Sequence, residues 1–66
     1  MTLEKARELI SVQAKMGGSY NRNGARLILA EVQREHGQQA VDRLIREFDL
    51  ETLFGFTAGT SFSAPG

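Results

Sequence analysis

Along most of this chain apolar residues recur at three- and four-residue intervals, the repeat of an α-helix that buries one side. Between Leu3 and about Met16 they form two adjacent stripes. Leu3, Ala6 and Ile10, with Ala14 beside them, make one; Leu9, Val12 and Met16 make the other, with Gln13 interrupting. Together the stripes are wider than the roughly 100° apolar face of an ordinary surface helix. The extra width predicts a first helix that either packs between two neighbours or shows part of itself to a partner. Thr2 is placed to cap this helix, and Glu4 suits the positive end of its dipole.

Gly17-Gly18 is a stop signal, because glycine readily takes the left-handed conformation that ends helices. Ser19, Asn21 and Asn23 can each serve as an N-cap, so the second helix is expected to begin between Tyr20 and Gly24. It should end near Glu35 or His36, with Gly37 just beyond. Ala25, Ile28, Leu29 and Val32 form its core stripe; Leu27 lies roughly opposite, beside Ala30, either packed under another segment or exposed. A third helix is predicted from about Gln38 to Phe48. Ala40, Val41, Leu44, Ile45 and Phe48 lie on its inner face, and Asp42, Arg43, Arg46, Glu47 and Asp49 on the other. Asp49 can cap one further helical turn closed by Gly55. Leu50, Leu53, Phe54 and Phe56 are too apolar for a free end and should fold back over the helices. Residues 57–66 read as a flexible tail with Phe62 as its one candidate anchor. The expected architecture is all-α: a compact three-helix bundle with a short fourth helical turn and a flexible C-terminal tail. Residues 1–56 would be one helical domain and residues 57–66 the tail, with no internal repeat and no second domain.

Size narrows the energetics. A chain of 66 residues makes one domain at most and buries only about 60% of its unfolded surface on folding. It contains no cysteine, so neither disulfides nor a thiolate metal site can reinforce the core, and stability must come from helix packing, a partner or self-association. An apolar share of 41% and a charged share of 24% place it among folding chains and not among disordered ones. No apolar run approaches the roughly 18 residues of a membrane span, and Met1–Glu8 lacks the continuous apolar segment of a signal peptide. A cytoplasmic location without membrane association is the resulting expectation. Net charge is zero but uneven. Residues 1–26 hold five basic against two acidic residues, net +3, and residues 27–66 hold three against six, net −3. These halves can attract each other within one molecule or between two, or simply lie on solvated helix faces.

The inventory for catalysis is thin. His36 is the single histidine and falls at a predicted helix C-terminus, where an imidazolium is favoured by the dipole. No second histidine and no cysteine completes a metal set, and no serine lies in a Gly-x-Ser-x-Gly elbow. The pairs Glu31/Glu35 and Glu47/Glu51 sit one turn apart, a spacing typical of solvated helix surface, with Arg34, Arg43 and Arg46 near as countercharge. The chain is therefore expected not to be an enzyme and to need no cofactor or metal.

The stretch Gly17–Arg26 contains no nucleotide-binding signature. It does contain Tyr20, Arg22 and Arg26, with the two arginines one turn apart at a helix start, where unpaired N–H groups favour anions. Tyr20 offers a ring for stacking on a base. These three residues are the candidate anion- or nucleic-acid-binding site; the alternatives are that the stretch is only a capped connection between two helices or a protein contact. Helices two and three also admit a helix-turn-helix reading, in which Gln38 and Gln39 would read bases while Asp42 repels phosphate and Arg43 and Arg46 partly compensate.

Met16-Gly17, an amphipathic helix, and then Ala40-Val41-Asp42-Arg43-Leu44-Ile45 resemble the ubiquitin-associated domains, three-helix modules with a Met-Gly-aromatic loop and an Ala-Val-x-x-Leu-Leu third helix. The resemblance spans residues 3–48 and implies partner-binding positions at Met16, Gly17, Leu44 and Ile45. Gly18 stands where the family's aromatic residue belongs, and the second helix is about three residues too long. The likeness is one of architecture, and the ubiquitin function is not carried over.

The functional expectation is a small non-catalytic protein-interaction or regulatory module. Its candidate interface residues are Leu27, Leu53, Phe54 and Phe56, and its partner is another protein or a second copy of itself. The alternative is a nucleic-acid- or anion-binding regulator acting through Tyr20, Arg22 and Arg26.

Overall fold

The structure is a computed structural model that describes residues 1–16 and 18–62, with only the backbone described for 18–20. The chain forms α1 (Leu3–Met16), α2 (Gly18–His36), α3 (Gln38–Glu47) and the short α4 (Leu50–Phe54). The described residues include no strand, and the fold is the small all-α bundle expected. No helix is long and apolar enough to cross a membrane among them.

Thr2 opens α1: its Oγ1 accepts from the Lys5 N–H at 3.1 Å, satisfying one of the donors left free in the first turn. One residue separates α1 from α2, which run antiparallel. Met1 therefore meets Glu35 and His36 at the far end of α2, while Gln13 lies against Gly24. The start of α2 differs from the sequence-based expectation. Ser19, Asn21 and Asn23 do not cap a helix beginning at 20–24; they are inside one that already runs from Gly18. Weak helix formers are held helical here by partners. The Arg22 side chain reaches Phe54, Arg26 Nη2 donates to Asn23 Oδ1 at 3.3 Å, and Gly24 leaves room for the Gln13 amide. Packing of this kind routinely overrides propensity.

A single residue also joins α2 to α3. Gly37 has φ 91° and ψ 176°, a region essentially restricted to glycine, and its N–H still bonds to the Gln33 carbonyl at 3.0 Å. The third helix ends at Glu47, within one residue of expectation. Asp49 precedes α4 in a left-handed conformation and contributes no side-chain cap, so it starts the helix with its carbonyl alone, bonded to Leu53 N–H at 3.1 Å. Left-handed Gly55 closes α4, and the Phe56 N–H reaches back to the Leu50 carbonyl at 3.2 Å.

Ala6 and Ile10 of α1, Ala25, Leu29 and Val32 of α2, Val41, Leu44 and Ile45 of α3, and Leu50 and Phe54 of α4 make one core with Phe56 and Phe62. The three phenylalanines touch in sequence: Phe54 and Phe56 lie tilted with ring centres 5.9 Å apart, and Phe56 and Phe62 meet edge to face at 5.2 Å. Phe62 is thus the anchor the sequence suggested. Residues 59–62 are also held by their backbone. Gln38 Nε2 donates to the Thr60 carbonyl at 2.9 Å, Asp42 Oδ1 accepts from the Gly59 N–H at 2.7 Å, and Gln33 Oε1 accepts from the Phe62 N–H at 2.6 Å. The tail expected from residue 57 is therefore laid along α2 and α3 as far as Phe62. Residues 63–66 of that tail lie outside the described residues.

Candidate interaction surface

Most apolar side chains are inside, and those that are not fall in particular places. Val12 is 47% exposed, Met16 67% and Leu27 56%. The α1–α2 packing explains why these three border the same seam. Gln13 and Gly24 face each other across the contact. At about 100° per residue, Leu9, Val12 and Met16 follow Gln13 on the side turned away from Ala6 and Ile10. By the same rotation Leu27 lies past Gly24, away from Ala25 and Leu29. Leu9 is half-buried at the inner edge. The two apolar stripes of α1 thus have different fates: one enters the core and the other faces outward along α2. Leu3, 42% exposed, lies elsewhere, in an open groove of about 920 Å³ between α1 and α3 that Arg7, His36, Arg43 and Glu47 also line.

The other expected interface residues separate. Leu53 is 44% exposed on α4, but Phe54 and Phe56 are 6% and 4% exposed and belong to the core. They offer a partner no surface, because their rings complete the cluster that seals α4 and the 59–62 segment onto the bundle.

The polar candidates are equally divided. Arg22 Nε donates to the Phe54 carbonyl at 2.9 Å, and its guanidinium lies 4.9 Å from the centre of the Phe56 ring. A cation at the end of α4, over an aromatic face, is a structural fastening; it directs Arg22 inward to α4. Arg26 is exposed beside Asn23, and the Tyr20 side chain lies outside the described residues. The reading of Gln38 as a base-reading residue also fails: its amide is spent on Asp42, Gln33 and the Thr60 carbonyl. Leu44 and Ile45, which the ubiquitin-associated likeness would turn toward a partner, are buried; of the other two, Met16 is exposed and Gly17 lies outside the described residues.

Part of the charge is paired within the molecule. Arg7 and Glu47 form a fork, Nε to Oε2 at 2.9 Å and Nη2 to Oε1 at 3.0 Å, so part of the basic front does meet the acidic back in one chain. The Met1 ammonium hydrogen-bonds Glu35, which holds that carboxyl below its usual range and raises the ammonium. His36 Nε2 lies 2.8 Å from the Met1 carbonyl. Hydrogen bonds from Gln38 and from the Gly59 N–H keep the Asp42 carboxyl below the ordinary aspartate range. No buried side-chain polar atom lacks a partner, and no group of three potential metal ligands occurs among the described residues. The distinctive feature of the surface they form is the apolar strip beside Gln13 and Gly24. No protein-family model, no curated protein and no solved structure matches the chain.

Proposed function

We propose that the chain is a non-catalytic protein-interaction module of the cytoplasm that docks a partner through the outer seam of α1 and α2. The observation that carries this is the exposure of Val12, Met16 and Leu27 along one seam, in a protein whose other large apolar side chains, Leu3 and Leu53 apart, are buried or half-buried among the described residues. Isolated exposed apolar residues are ordinary, but several sharing one strip mark a contact surface. Glu8 and Lys15, both exposed, flank the strip by the rotation of α1, as polar rims border interfaces.

Leu27→Glu and Met16→Glu test the reading, because both side chains are exposed and their replacement leaves the core intact. The folded chain, labelled for resonance assignment and mixed with cell extract, should show shifts confined to the seam, and both variants should abolish them while keeping wild-type helicity. Shifts centred instead on Asn23 and Arg26, lost on adding salt, would replace this reading with nucleic-acid binding.

A further inference from the structure

We propose that the partner of the seam is a second copy of this chain, docked by antiparallel pairing of the two α1 helices about a two-fold axis. This rests on the reading of the seam as an interface and adds what occupies it.

The pattern on α1 carries the inference. Lys5, Leu9, Val12 and Met16 succeed one another at spacings of four, three and four, the seam repeat of paired helices. Val12, Met16 and the Lys5 side chain are exposed, and Leu9 is half-buried. In an antiparallel pair, one register sets Leu9 against Val12 of the second copy and, by symmetry, Val12 against its Leu9. The same register lays the Met16 side chain along the aliphatic stem of the second copy's Lys5. A Lys at this position tolerates the interface because its charged end reaches the rim.

Charge then selects the orientation. Glu8 and Lys15 lie seven residues apart, two turns along one flank of the strip, and carry opposite signs. In the antiparallel register each comes nearly level with the other residue of the second copy, so two reciprocal ion pairs flank the apolar contacts. A parallel pair would bring every charge level with its own copy. Lys15 makes no ion pair among the described residues, and Glu8 reaches only the exposed Lys5, at 3.6 Å. The face is therefore complementary to itself, as a two-fold interface requires. On the other flank Leu27 of α2 widens the strip past Gln13. One helix face of this length covers less than the about 800 Å² per partner of a standard stable interface, so the dimer is weak and forms in the micromolar range or above.

Sedimentation of the full chain from micromolar to millimolar concentration tests this. The wild type should show a reversible monomer–dimer equilibrium, and Val12→Glu should be monomeric with unchanged helicity. Glu8→Lys and Lys15→Glu should each weaken the dimer about tenfold, since two exposed pairs turn from attraction to repulsion. The double reversal, Glu8→Lys with Lys15→Glu, should restore it to within about threefold of wild type. A wild type that stays monomeric throughout, a dimer indifferent to Val12→Glu, or a double reversal without rescue overturns the proposal. A monomer whose seam still responds to extract overturns the second copy alone. A seam silent in both experiments overturns the interaction reading with it.

Discussion

Arg22 of α2 closes α4 from the side: its Nε donates to the carbonyl of Phe54, the last residue of that helix, at 2.9 Å. Its guanidinium covers the Phe56 ring at the same time. Thirty-two residues separate the partners, so this contact ties the chain's early helix to its last one. Replacing Arg22 by Ala should lower stability by about 1–2 kcal/mol, the scale of a charge-assisted hydrogen bond plus a cation–ring contact. Arg22→Lys should recover less than half of that loss, because lysine lacks the planar group that bonds and stacks together. Urea unfolding followed by circular dichroism gives both values; an Arg22→Ala protein as stable as wild type would remove the fastening.

Gly37 is the only residue between α2 and α3, and its backbone (φ 91°, ψ 176°) excludes side chains. A Cβ there meets no atom within 4 Å, so strain alone is at issue. Gly37→Ala should cost about 1–3 kcal/mol and lower the melting temperature without altering the native fold. A melting temperature within a degree or two of wild type, about the effect of a neutral substitution, would contradict this.

Gln13 and Gly24 set the approach of α1 and α2. A Cβ on residue 24 would lie 3.0 Å from Gln13 Oε1, the movable end of a side chain. Gly24→Ala alone should be close to neutral, because about 1 kcal/mol of helix propensity is offset by displacing the amide. In a Gln13→Ala background the same change should stabilise by about 1 kcal/mol. A double-mutant cycle measures the difference, and simple additivity would show that the amide does not limit the approach.

Asp42 makes the docking of residues 59–62 sensitive to acid. Its carboxyl is held below the ordinary aspartate range by Gln38 and by the Gly59 N–H. A depressed carboxylate contributes its full stabilisation above the unfolded-state value, about 4, and loses it as pH falls through the lower folded value. Protection of the Gly59 amide against exchange should therefore fall on acidification below about pH 4. Asp42→Asn keeps an oxygen to accept both bonds but cannot titrate, so its protection should be weaker at neutral pH and flat in acid. A wild-type profile as flat as that of Asp42→Asn would count against the assignment.

The elements that local pattern governs were legible in advance. Thr2 caps α1 because a hydroxyl three residues before a free N–H has one obvious use. The stripe from Ala40 to Ile45 has only one buried face to offer, and Gly55 ends α4 because little else adopts its conformation. Exposure on the same chain was only partly legible: Leu27 lies off its helix's stripe and is exposed, whereas Phe54 and Phe56 are equally apolar and are enclosed. Apolarity marks both a core residue and a contact residue, and only the neighbours tell them apart.

Sequence alone determined the all-α class, four helical segments and the stops at Gly37 and Gly55, since each depends on residues within a few positions of one another. Tertiary structure decided the rest. It extended α2 back to Gly18 through residues that would otherwise cap it, and turned Arg22 inward onto Phe54. It gave Gln33, Gln38 and Asp42 the backbone of residues 59–62 to hold. It left one of the two apolar stripes of α1 outside. The physical reason is common to all of these: each depends on groups brought together from distant parts of the chain, and periodicity carries no information about which distant group arrives.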